Sequence, residues 1–159
     1  MNERDLHYLV DTIVREMDTF SYDITLEQAR TLSEQIRKKA AEMGVNAVVA
    51  IANSAARPVL IECMDDSYIA SYDVALKKAF TVVSLKMSTS ELKPLAQPGA
   101  SLYGIQFTNN GKIIIFGGGE PLCNKEGKII GGLGVSGGTE EQDSALAAYG
   151  KQIFEKGRI

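Results

Sequence analysis

Apolar residues return at three- and four-residue steps near the start of the chain. Leu6, Leu9, Val10, Ile13, Val14 and Met17 line one face of a helix predicted over residues 2–17. Asn2 can cap its first turn, and Glu3 and Asp5 suit its positive end, while Arg4, Asp11, Arg15 and Glu16 keep the other sides wet. The segment Asp18-Thr19-Phe20-Ser21-Tyr22-Asp23 breaks the pattern. Thr25 with Gln28 makes a capping box that opens a second helix, which Gly44 ends. Residues 45–52 are a strongly apolar run closed by an Asn53-Ser54 turn. That marks a buried strand, and residues 58–63 pair with it as a hairpin. Residues 68–87 form a helix, with Ile69, Tyr72, Ala75, Ala79, Val82, Val83 and Leu85 mostly on one side. The next dozen residues hold Pro94, Pro98 and Gly99 and are predicted to be a loop. Strands over 102–107 and 112–116 flank Thr108-Asn109-Asn110-Gly111, whose Asn-Gly step favours a tight hairpin. A strand over 128–135 and a helix from Thr139, boxed by Gln142, complete the series.

The order after the first helix is helix, two strands, helix, three strands, helix. Connections this short cannot build a parallel βαβ array. They call for an antiparallel sheet with helices over its faces, an α+β arrangement.

A chain of 159 residues is the size of one globular domain. A net charge of −3, with no Lys/Arg cluster interleaved with aromatics, argues against a nucleic-acid partner. Cys63 and Cys123 lie far apart in unrelated contexts, so the expectation is reduced thiols in a cytoplasmic protein. No apolar run reaches bilayer length, and the polar N-terminus is unlike a signal peptide, so no membrane partner is expected.

The densest signal is Gly117-Gly118-Gly119-Glu120-Pro121 followed by Gly127-Lys128-Ile129-Ile130-Gly131-Gly132-Leu133-Gly134-Val135-Ser136-Gly137-Gly138. Glycine carries an ordering cost, so such a run implies unusual backbone angles or close backbone approach. Together with Ile24-Thr25-Leu26-Glu27-Gln28-Ala29, and with Ala75 and Lys78-Ala79-Phe80-Thr81 on the central helix, it resembles the GlcG/HbpS-like haem-binding family. The same module forms the C-terminal domain of PduO-type proteins. The resemblance spans about residues 24–155. It implies a profilin-like sandwich on a five-stranded antiparallel sheet flanked by helices. Residues 1–22 are then an extra amphipathic helix with its connector, and 23–159 are the family-like domain. The hairpin departs from the family pattern, with Asn53-Ser54-Ala55-Ala56 where an acidic residue and glycines are usual and Cys63 where an arginine is usual.

Candidate chemistry is sparse. His7 is the single histidine, so Ser-His-Asp, Cys-His and multi-histidine metal sites would each have to recruit it. It is either a partly exposed helix residue or, given the resemblance, the axial ligand of a haem iron. Gly119, Gly134, Ser136 and Gly137 lead into the helix at Thr139. They either present backbone amides to a carboxylate, such as a haem propionate, or simply turn the chain into a capped helix. Lys78 and Thr81 lie three apart on one helix and can offer a cation and a hydroxyl to an anionic ligand; otherwise they are solvated and packed respectively. Asp65-Asp66 and Glu140-Glu141 with Asp143 are expected to be surface charge, the latter favoured by a helix dipole. Met64 and Met87 are expected to be core filler.

The function this implies is a small-molecule module, for haem or a related tetrapyrrole, acting as carrier or sensor. The enzymatic alternative lies in haem breakdown or cobalamin-linked diol metabolism, and a structural oligomer is a third. The family also implies a homo-oligomer. The N-terminal helix resembles encapsulation peptides, which makes a shell protein of a bacterial microcompartment a candidate partner.

Overall fold

The computed structural model describes residues 2–19 and 22–157, with side chains described outside 15–19. The side chains of Met17 on the predicted apolar stripe and of Arg15 and Glu16 on its wet sides, and the whole of Phe20-Ser21 in the connector, therefore lie outside what is described. Among the described residues there are five α-helices and four strands. The helices are α1 (Glu3–Thr19), α2 (Leu26–Glu42), α3 (Ile69–Leu85), α4 (Thr89–Leu95) and α5 (Glu140–Glu155); the strands are β1 (Val48–Asn53), β2 (Pro58–Cys63), β3 (Gly119–Cys123) and β4 (Ile129–Ser136). The first helix runs through Asp18 and Thr19, past the predicted break.

The sheet is antiparallel throughout, in the order β2-β1-β4-β3. It has four strands where five were expected. The predicted strands over 102–107 and 112–116 do not form. Residues Ile105–Phe107 and Asn109–Gly111 are 3-10 turns, because Gly104, Asn109, Asn110 and Gly111 all take positive φ, which an extended strand excludes. The strand that does form is β3, through Glu120-Pro121-Leu122. The predicted loop after residue 87 contains α4, opened by a capping box between Ser88 and Glu91. The boxes at Thr25/Gln28 and Thr139/Gln142 form as expected.

Two unequal cores result. On one face, α2 and α5 cover Val49, Ile51, Leu133 and Val135 with Leu32, Ile36, Leu146, Ile153 and Phe154. On the other, α3 meets Val48, Ala50 and Ala52 with the small side chains of Ala75 and Ala79. The small residues let α3 come very close. At Gly134 a Cβ would collide with the Ala75 carbonyl and stand 2.8 Å from the Ala79 nitrogen, so the helix rests on bare strand backbone.

The two sheet edges differ. Along β3, Gly119 N–H donates to Thr89 Oγ1 at 2.9 Å, and Pro121 has no N–H and its carbonyl accepts from Lys151 Nζ at 3.0 Å. This edge is closed to further pairing. Along β2, Pro58 and an irregularity opposite Ile51/Ala52 mark the start, and the remaining residues carry no comparable guard.

Candidate functional site

The glycine segment and the central helix meet in a buried polar knot. Lys78 on α3 is fully buried, and its Nζ donates to the Val135 carbonyl at 2.7 Å and to Asp143 Oδ2 at 3.0 Å. Phe116 lies over the same ammonium, 5.1 Å from ring centroid to Nζ. Burial pushes the Lys78 pKa down, and Asp143 opposes that by favouring the charged form. Asp143 in turn accepts from the Gly138 N–H at 2.9 Å through its other oxygen. Position 118 requires glycine on two counts: its φ is positive, and a Cβ would stand 2.6 Å from Lys78 Nζ and 2.8 Å from the Val135 carbonyl. One lysine therefore ties α3, the end of β4 and the start of α5 together.

The expected site residues other than His7 surround this knot, and their polar groups bond within the fold. Thr81, one turn along α3, donates to the Lys77 carbonyl at 2.7 Å and accepts from the Ile114 N–H at 3.0 Å, which anchors the irregular segment before β3. Ser136 Oγ donates to Ser71 Oγ at 3.1 Å in the interior. At Gly137 a Cβ would meet the Asn46 carbonyl at 2.5 Å and Ala47 Cα at 2.8 Å. The amides of Gly117, Gly119 and Gly138 are engaged by Glu140, Thr89 and Asp143. Glu140 also takes Lys93 Nζ at 2.6 Å, and the Gly117 N–H and that lysine hold its carboxyl below the ordinary range. His7 is not brought to this cluster. It is exposed on α1, beside Leu6, Leu9, Val10, Ile13 and Val14, each 46–51% exposed.

Sequence reasoning missed two features. Asp143 is not surface charge but is 4% exposed and paired with Lys78. A lysine in the apolar stripe of α3 needs a counter-ion, and that was the available signal. The second is an open groove of about 540 Å³ lined by Arg37, Asn46, Glu62, Cys63, Met64 and Asp65. There Arg37 Nε lies 2.8 Å from Glu62 Oε2, which also accepts from Ser33 Oγ at 2.6 Å. Met64 Sδ accepts from the Ala47 N–H at 3.3 Å, so it is a local anchor as well as packing. Its residues come from α2, from the residues before β1 and from the end of β2, and no local pattern joins them. Among the described residues no group of three or more His, Cys, Asp or Glu could hold a metal ion, and no helix is long and apolar enough to cross a membrane.

Comparison with known proteins adds the following. Residues 24–152 match the model of the family described as haem degrading protein HbpS-like. The chain is 42% identical over 133 residues to an uncharacterized 15.0 kDa protein in the dhaT-dhaS intergenic region of Citrobacter freundii, covering 84% of this chain and 93% of that one. It is 37% identical over 124 residues to the corrinoid adenosyltransferase PduO of Citrobacter freundii, covering 78% of this chain but only 37% of that protein. Among solved structures, a PduOC:heme complex superposes with a TM-score of 0.78 at 35% identity, over 82% of this chain and 94% of that one.

Proposed function

The chain belongs to the HbpS-like family, and from that premise we propose that it is a haem- or tetrapyrrole-binding module acting as a carrier or sensor. The observation that carries this reading is the likeness of nearly the whole domain to a protein crystallised with haem. The fit of this chain's residues is decided at the surface. Lys78, Thr81, Gly119, Gly134, Ser136 and Gly137 have their polar groups or their space taken by the fold, and serve as the frame of the module. His7 offers an exposed imidazole at the margin of an apolar stripe, a combination that suits a flat apolar macrocycle with a central iron. Bound haem would supply a redox-active iron. His7 would hold that iron, and the stripe would shield one side of the ring from water.

Hemin titration of the full chain tests this. A saturable absorption band near ~400 nm is expected, shifted or weakened in His7→Ala. Absence of a saturable band in the wild type would end the reading, and an unchanged band in His7→Ala would remove His7 from it.

A second reading, catalysis of haem breakdown, is favoured by the family's own description. It predicts loss of the band on adding a reductant and oxygen. The partial likeness to PduO supports a corrinoid-linked setting, with α1 as an added docking helix for a microcompartment shell protein. Residues 1–22 fused to a fluorescent protein should then become punctate in cells making such compartments; diffuse signal beside assembled shells would exclude it. The module is also read as a homo-oligomer.

A further inference from the structure

We propose that Asn110-Gly111 is a latent modification site, held unreactive by the folded turn and converted to isoaspartate through a succinimide when that turn opens. The chemistry is intramolecular. The Gly111 backbone nitrogen attacks the side-chain carbonyl carbon of Asn110. The bond from that carbon to the side-chain nitrogen breaks, and ammonia leaves with the hydrogen of the Gly111 N–H. Water then opens the five-membered imide at either carbonyl. One opening gives aspartate; the other routes the main chain through the side chain and gives isoaspartate. Asn110-Gly111 is the one Asn-Gly step in the sequence, and glycine puts no side chain in the way of its nitrogen.

The structure separates this asparagine from others at turns. Asn53 Oδ1 accepts from the Ala55 and Arg57 N–H groups, each at 3.0 Å, and Asn124 Oδ1 from those of Glu126 and Lys128, each at 3.0 Å. Asn110 and Gly111 are exposed, and the Asn110 side chain has no hydrogen bond among the described residues. The native backbone nevertheless forbids the attack. Asn110 has φ 56° and ψ 37°, which turns the Gly111 nitrogen nearly anti to Asn110 Cβ and out of reach of the side-chain carbon. Only a large rotation about ψ lets the ring close. Little opposes that rotation. Asn109, Asn110 and Gly111 all have positive φ, an unfavourable setting for the two asparagines. Two surface bonds hold the turn, from the Gly111 N–H to the Thr108 carbonyl at 3.0 Å and from the Lys112 N–H to the Asn109 carbonyl at 3.2 Å. The buried restraint comes from α3, where Thr81 Oγ1 accepts from the Ile114 N–H at 3.0 Å and lies 3.3 Å from the Lys112 carbonyl. Segments held by exposed hydrogen bonds open locally at far less cost than global unfolding. Isoaspartate adds a methylene to the main chain and a carboxylate beside it, so the turn cannot reclose in its native geometry.

Incubation of the full chain at mildly alkaline pH, with peptide mass spectrometry reading deamidation and isoaspartate at position 110, tests this. The chain unfolded in guanidinium chloride should react at Asn110 about tenfold faster or more than the folded chain, because the rate follows the fraction of time the turn is open. Thr81→Val should raise the folded rate several-fold and leave the unfolded rate unchanged. Thr108→Ala removes an exposed hydroxyl that donates to the Ile105 carbonyl and accepts from Asn109 Nδ2, and it should act the same way should Thr81→Val fail to fold. Equal rates in the folded and unfolded chains would overturn protection by the turn. An unfolded chain whose Asn110 stays intact while Asn53 reacts would overturn the site. A folded rate unmoved by both substitutions would overturn turn opening as the controlling step.

Discussion

Replacing Lys78 with Met removes the cation at the centre of the buried knot. The new side chain fills most of the lysine stem's space, so little cavity is left. Asp143 remains, 4% exposed, with its carboxylate still accepting from the Gly138 N–H, and the Val135 carbonyl loses a donor. Breaking one half of a buried ion pair costs about 3–5 kcal/mol, because the surviving charge is neither solvated nor paired. That is a large share of the roughly 5–15 kcal/mol that holds a domain together. Asp143→Asn retains an oxygen for the Gly138 N–H, so the double variant Lys78→Met/Asp143→Asn removes both charges and keeps that bond. It should recover about 2 kcal/mol relative to the sum of the single changes, the signature of two groups in direct contact. Urea denaturation followed by circular dichroism, with the slope checked for constancy, measures all three. A loss under about 1 kcal/mol for Lys78→Met, or single changes that simply add, would refute the view that this pair locks α3 to the start of α5.

Two further outcomes follow from the same contacts. Gly134→Ala places a methyl against the backbone of α3, which cannot yield as a side chain would; the loss should reach about 3 kcal/mol, the upper part of the overpacking range, in the same urea assay. Glu140 has its pKa lowered by the Gly117 N–H and Lys93, so its contribution is fully present above the unfolded carboxyl value of 4.5 and is lost as pH falls through the lower folded value. Thermal unfolding of Glu140→Gln should therefore be less stable than wild type at neutral pH, and the difference should shrink on acidification; a difference that stayed constant would sever this carboxylate from the acid response.

Local signals were legible wherever the structure is locally decided. The Thr25/Gln28 and Thr139/Gln142 boxes announce α2 and α5, because a cap is satisfied within four residues. The Ser88/Glu91 box is equally local, but α4 is short and carries Pro94 inside it, a residue that ordinarily ends a helix. The apolar run into β1 and its hairpin with β2 are local in the same sense. What the chain by itself determined was therefore helices α1, α2, α3 and α5, the β1–β2 hairpin, strand β4, the family and the importance of the glycines. Only the tertiary structure decided the rest. Gly119–Cys123 carries no strand pattern, and it becomes a strand because β4 offers a ladder and Thr89 and Lys151 satisfy its outer side. Lys78 and Asp143 stand 65 residues apart, and burial turns both from ordinary charges into a single lock. The glycines of β4 are needed mostly for the close approach of α3, a requirement set by another element and invisible in their own segment.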